Sequence, residues 1–358
     1  MEQKNAARFF LGANSKSGFF SLYDSFTDPA AGDFLWIIKG GPGSGKSSFM
    51  KRIGAAAEAR GENVEYILCS GDPDSLDAVY LPEKRLAYVD GTAPHVIEPR
   101  YPGASSRYLD FSGFLDAAAL RPKLPEIMEL NRRYKALYAA AYARLSAAAA
   151  LLPRSRPGLF SDAARNTLTR RTEGIAAREL RPLKKQGRVK HRFLSAWSCN
   201  GHITPAETLP VFCDRLYLLD NALGLGFAAL EQLAALSASR GYDAVVCHDP
   251  LEPEKPEALL LPEARLGFLA AEAADAKPEL PCRRVRLDAL ALRELSPEER
   301  TMLRKWKKES CVLFSAATET LAEAKALHDA LEAVYHPHVD FAALDALAEE
   351  HMQHLLVL

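Results

Sequence analysis

Phe34-Leu35-Trp36-Ile37-Ile38-Lys39-Gly40-Gly41-Pro42-Gly43-Ser44-Gly45-Lys46-Ser47-Ser48 joins a short apolar run to a glycine-rich turn and then to the first residues of a helical pattern. The apolar run predicts a strand buried on both faces. Ser47 to Arg60, closed by Gly61, predicts a helix. Between them, Gly40 to Ser47 matches G-x-x-x-x-G-K-[ST] in full. Glycines there can take positive φ and turn backbone N–H groups inward around phosphates, where a side chain would collide. A helix start adds a dipole that favours anions. Lys46 is expected to reach the β- and γ-phosphates and the Ser47 hydroxyl to ligate magnesium. Gly40, Gly41, Pro42, Gly43, Ser44, Gly45, Lys46, Ser47 and Ser48 are therefore the expected binding residues for a nucleoside triphosphate with Mg2+.

A magnesium site also needs a carboxylate at the end of a neighbouring strand. Leu86-Ala87-Tyr88-Val89-Asp90 supplies an apolar run ending in an acid, so Ser47 and Asp90 are the expected metal ligands. Gly91 follows where many ATPase motors carry a second acid, and fast hydrolysis is not expected. His95, just beyond, is either a γ-phosphate sensor and proton shuttle or an incidental loop histidine. Lys46, Asp90 and His95 form the catalytic set to be tested. Asp72, Asp74 and Asp77 suit an acceptor or its metal, and equally a turn and helix cap.

The chain repeats itself. At a shift of 180 residues, Leu81, Pro82, Glu83, Arg85 and Leu86 fall on Leu261, Pro262, Glu263, Arg265 and Leu266, and Asp77 falls on Glu257. Leu11, Ala13 and Gly18 match Leu194, Ala196 and Gly201, and Arg132 to Lys135 match Arg304 to Lys307. The predicted fold is α/β, a tandem duplication of P-loop NTPase-like parallel-sheet cores, each followed by a helical segment. The expected domains are residues 1–187 and 188–358. At the 180 shift Lys46 meets Gly226, Ser47 meets Phe227 and Asp90 meets Ala270, so the second copy is expected to be a degenerate repeat that does not hold a triphosphate.

With 358 residues, 25% charged and 48% hydrophobic, the chain is long enough for two cores, and a net charge of −1 gives no overall attraction to nucleic acid or membrane. Its six cysteines show no zinc spacing and, with no long apolar run, predict a cytoplasmic protein with reduced thiols. Arg165 to Arg192 holds ten Lys or Arg and two Glu, a solvated connector, a phosphate lid or a nucleic-acid contact. Arg132 and Arg133 suit an exposed helix face or an arginine finger, and Tyr134 and Trp306 are expected to pack helices onto the sheets.

Residues 12–24 (Gly-Ala-Asn-Ser-Lys-Ser-Gly-Phe-Phe-Ser-Leu-Tyr-Asp), 69–77 (Cys-Ser-Gly-Asp-Pro-Asp-Ser-Leu-Asp), 89–95 (Val-Asp-Gly-Thr-Ala-Pro-His) and 326–332 (Ala-Leu-His-Asp-Ala-Leu-Glu) resemble those of a bacterial family of two-repeat P-loop proteins. The resemblance spans nearly the whole chain. Members are labelled ATPase, ATP-binding protein or nucleotide kinase, which implies ATP rather than GTP, although no base-specificity motif stands out. The family's second repeat usually carries its own P-loop, and this chain departs from that pattern at Asp220 to Phe227. Three functions follow as expectations: a slow ATPase or ATP-dependent switch, phosphoryl transfer to a small acceptor such as a nucleotide, and a nucleotide-gated module binding nucleic acid through Lys184, Lys185 and Arg188.

Overall fold

The computed structural model describes residues 6–155, 160–270 and 279–355. Copy one contains β1 (Ala6–Phe9), β2 (Gly12–Ser15), β3 (Gly18–Ser21), β4 (Phe34–Lys39), α1 (Lys46–Glu58), β5 (Val64–Leu68), β6 (Leu76–Leu81), β7 (Leu86–Asp90), β8 (Ser106–Asp110), α2 (Ala117–Leu120), α3 (Leu124–Leu151) and α4 (Asp162–Glu179). Copy two contains β9 (Val189–Arg192), β10 (Ala196–Ser198), β11 (Gly201–Ile203), α5 (Leu209–Phe212), β12 (Arg215–Leu219), α6 (Leu225–Ser239), β13 (Ala244–His248), β14 (Pro256–Leu261), β15 (Leu266–Ala270), β16 (Cys282–Val285), α7 (Asp288–Leu292), α8 (Pro297–Tyr335) and α9 (Phe341–His354).

The two main sheets have the same topology. One runs β1-β5-β6-β7-β4-β8 and the other β9-β13-β14-β15-β12-β16, and each copy adds a hairpin, β2-β3 or β10-β11. Five strands of each sheet are parallel, while β6 and β14 run antiparallel to both neighbours. The chain is thus two similar tandem α/β sheet domains, each followed by helices, with mixed rather than purely parallel sheets. Antiparallel β6 follows directly from β5 through the Asp72–Ser75 turn, where Ser75 N–H donates to Asp72 O.

Strand periodicity explains the layers. Along β7, Leu86 and Tyr88 face α1, while Ala87 and Val89 face the other way into a core shared with Leu216, Val245, Cys247, Leu260 and Leu269 of the second sheet. The sheets therefore pack on each other, and helices cover their outer faces. Helix α1 buries Phe49, Met50, Ile53 and Ala57 on the first sheet, and α6 buries Phe227, Leu230 and Leu233 on the second. The inner strands β5–β7 and β13–β15 are buried on both sides, which is why they are mostly apolar, whereas the edge strands β8, β9 and β16 are largely exposed and carry polar residues.

The later helices cross between copies. Helix α4 buries Leu168, Ile175 and Ala176 in the core of copy two, and α9 buries Leu344 and Ala348 in that of copy one. Much of the basic 165–192 stretch is thereby a packed helix and a sheet strand rather than a solvated connector. Helices α3 and α8 pack antiparallel, with Ile127 beside Leu331 and Leu145 and Ala149 beside Ala317. Tyr134 meets Tyr138 edge-on and His328 at a tilt within this pair instead of packing on a sheet, whereas Trp306 packs against the second core. No described helix is long and apolar enough to cross a membrane.

Candidate functional site

Adjacent parallel strands β4 and β7 end side by side, with Ile38 opposite Asp90. Chain leaving β4 turns through Gly40–Gly45 into α1. Gly43 (φ +66°) and Gly45 (φ +83°) both lie in the left-handed region, where a side chain is strained. A Cβ on Gly40 would stand 2.8 Å from Ser44 Oγ and 2.9 Å from Phe111, so this turn closes only around glycine. Ser44, buried, donates to Gly41 O at 2.7 Å and holds the turn shut. Ser48 is exposed on the first turn of α1, and Pro42 is half-buried in the loop.

Lys46 folds back across the loop. Its Nζ donates to Gly41 O at 2.8 Å and Gly40 O at 3.1 Å, and lies 3.5 Å from Asp90 Oδ2 with both side chains largely buried. The other Asp90 oxygen accepts from Thr92 N–H and Thr92 Oγ1, at 2.9 and 2.6 Å, which fixes the carboxylate. Ser47 Oγ accepts from Leu76 N–H at 2.9 Å, tying the start of α1 to the start of β6. Lys46 and Asp90, far apart in sequence, thus meet at one end of the sheet, while Ser47, next to Lys46, is turned to the start of β6.

His95 is drawn elsewhere. Its Nε2 is 3.4 Å from Asp77 Oδ2 and its ring packs on Tyr23 and Phe19, with 8% exposure. Its Nδ1 is buried without a hydrogen-bond partner among the described residues. Tyr23 OH donates to Asp77 at 2.7 Å. Burial pushes the Asp77 carboxyl above its usual range, a rise that His95 and Tyr23 oppose and that Asp90 reinforces. Asp72 accepts from Ser75 Oγ at 2.8 Å and lies 3.4 Å from Lys325 of α8. Arg132 and Arg133 are exposed, and Arg132 pairs with Glu129 on its own helix. Lys185 pairs with Asp243 and Glu263 in copy two, and Arg188 lies 3.9 Å from Asp243.

Three groups over the loop were not singled out in sequence. Glu332 at the end of α8 accepts from Gly43 N–H at 3.2 Å. Tyr335 lies against Gly41, and Phe341 of α9 against Gly45. The only signal was the 326–332 phrase, which ends on Glu332, with nothing local to say where it lands.

The second copy's loop corrects the ungapped register. Gly224 caps α6 in the left-handed region (φ 85°, ψ 0°), as Gly45 caps α1 (φ 83°, ψ 6°). Sheet register, however, places Arg215 where Phe34 stands, opposite Leu266 and Leu86 respectively. The offset is 181 residues in the strand and 179 at the helix, so this loop is two residues shorter. Lys46 therefore corresponds to Leu225 and Ser47 to Gly226, not to Gly226 and Phe227. Asp90 does correspond to Ala270. The short loop's N–H groups at Ala222 and Leu223 donate to the Asp288 carboxylate at 2.9 and 3.1 Å. Comparison with family models, with curated proteins and with solved structures gives no match for this chain.

Proposed function

We propose that the two cores are of the P-loop NTPase type, and that the first copy binds Mg-ATP at Gly40–Ser48 and serves as an ATP-dependent switch with slow hydrolysis. The observation that carries this reading is the 3.5 Å pairing of Lys46 with Asp90 beside a turn that closes only around glycine. The donor set suits the ligand. Loop N–H groups and Lys46 would hold the phosphates, and Ser47 Oγ and Asp90 would hold Mg2+, which would neutralise charge between the phosphates. ATP in preference to GTP rests on the family resemblance.

Slow turnover follows from what stands beside Asp90. A Cβ on Gly91 would lie 2.4 Å from Ile37 Cγ2, so no acid fits there to orient a water. His95 is engaged with Asp77 and does not replace it. Phosphoryl transfer to a small acceptor is the alternative, and acceptor-stimulated turnover separates it from the switch. Titration calorimetry with Mg-ATP and Mg-GTP, followed by phosphate release, tests the reading. One site with slow release is expected, and Lys46→Ala should lose at least ten-fold in affinity, the scale of one charge-assisted contact. Unchanged affinity and turnover in that variant would remove the assignment.

A further inference from the structure

The loop that would cradle phosphate already holds an anion supplied by the chain itself. Glu332 places Oε1 3.2 Å from Gly43 N, and the packing there is close: a Cβ on Gly43 would meet Glu332 O at 3.0 Å, and one on Gly41 the Tyr335 ring at 3.2 Å. Helix α9 continues from this junction and is docked on α1, where Arg52 pairs with Asp345 and Glu349. A carboxylate shares with phosphate what such a loop recognises, a negative charge spread over oxygens that only accept hydrogen bonds.

The second copy supplies the comparison. There too a carboxylate, Asp288, caps the loop N–H groups, but it lies next to the loop in its own copy and is only 8% exposed, a permanent plug. Glu332 reaches the first loop from the other copy's helix with a side chain 42% exposed, so water can replace it at small cost.

We propose that Glu332 is an intramolecular competitor for the nucleotide: a triphosphate cannot share Gly43 N–H with it, and repulsion between the two anions lifts the α8–α9 junction off the loop. The inference rests on the nucleotide reading and adds how that site is regulated. Because α8 belongs to copy two and packs along α3, displacing its end carries occupancy of the first site into the second copy.

The test uses the full chain, with Mg-ATP affinity by calorimetry for wild type, Glu332→Gln and Glu332→Ala, and amide hydrogen exchange over residues 40–45 and 341–354 with and without Mg-ATP. Glu332→Ala should bind roughly two- to five-fold more tightly than wild type, the scale of one half-exposed charged contact, with Glu332→Gln in between. In the wild type, Mg-ATP should speed exchange in 341–354 while slowing it in 40–45. Equal affinities with unchanged exchange in 341–354 would overturn the competition and leave nucleotide binding standing. No binding by wild type or either variant would overturn both.

Discussion

Asp77 and Glu257 hold equivalent places on β6 and β14, next to the paired Ala78–Val89 and Ala258–Leu269 positions, and both are buried. Asp77 is answered by Tyr23 and His95, whereas Glu257 takes both its hydrogen bonds from Ser195, at 2.9 Å from N–H and 2.8 Å from Oγ. Burial, reinforced by nearby Asp249, pushes the Glu257 carboxyl up to about 8. A carboxyl whose pKa is higher folded than unfolded stabilises the fold fully below its unfolded value, and that contribution is lost as pH rises toward 8. Across that window each pH unit removes about 1.4 kcal/mol. Glu257→Gln keeps the shape without the charge, so thermal melting should show it gaining on wild type between pH 5 and pH 8. A variant that instead loses ground with rising pH would mean Glu257 is ionised in the fold. At this scale the sequence exposed the glycine turn and Lys46 at its end, because glycine and lysine spacing is local. Glu332 was not legible, since the contact that matters spans 289 residues.

The elements show where periodicity was enough and where it failed. Strands β4 and β7 and helix α1 were legible because an apolar run, a glycine turn and a helical stripe are adjacent in the chain. Strand β6 was not, because Asp72–Ser75 is turn chemistry whether a helix or an antiparallel strand follows. The two-residue deletion was hidden because offsets of 181 and 179 straddle the ungapped 180. The crossing of α4 and α9 was equally hidden, since an amphipathic helix does not encode which sheet it covers. Its consequence for α9 can be tested. His351, on its buried face, has Nδ1 3.0 Å from Tyr88 OH and packs on Trp36 and Phe49. Burial lowers the His351 pKa, assisted by His354 and opposed by Glu350. A histidine depressed in the fold contributes stability above its unfolded value and loses it as pH falls below about 6.5. Corrected for the intrinsic slowing of exchange as pH falls, amide protection in 341–354 should therefore drop from pH 7 to pH 5.5, and His351→Gln should flatten that drop. An equal drop in protection in wild type and variant would count against His351 as the cause.

Over the whole molecule the duplication is a pseudo-symmetric dimer made in one chain. Phe10 and Phe193 exchange reciprocal backbone hydrogen bonds of 2.9 Å where the two sheets meet, as equivalent residues beside a two-fold axis do. Arg192 of copy two, 1% exposed, pairs with buried Glu65 of copy one, and each copy's last helix completes the other's core. Neither half can bury its inner sheet face alone. The side chains meeting there, among them Phe9, Ile67, Val89, Leu216, Val245, Leu260 and Leu269, are each at most 6% exposed, and each would return about 1.5–3 kcal/mol of burial to water. That loss is of the same order as the net stability of an ordinary domain, about 5–15 kcal/mol. Residues 1–187 produced alone would also lack α9 over α1 and leave α4 without its sheet. They should be found aggregated or self-associated, whereas co-expression with 188–358 should recover a soluble one-to-one complex with a single melting transition. Size-exclusion chromatography with calorimetric melting decides this, and a monomeric 1–187 that melts cooperatively would show that each copy closes its own core. On the expected outcome the second copy is required as the other half of the first copy's hydrophobic core, which is reason enough for a repeat without counterparts of Lys46, Ser47 and Asp90 to persist.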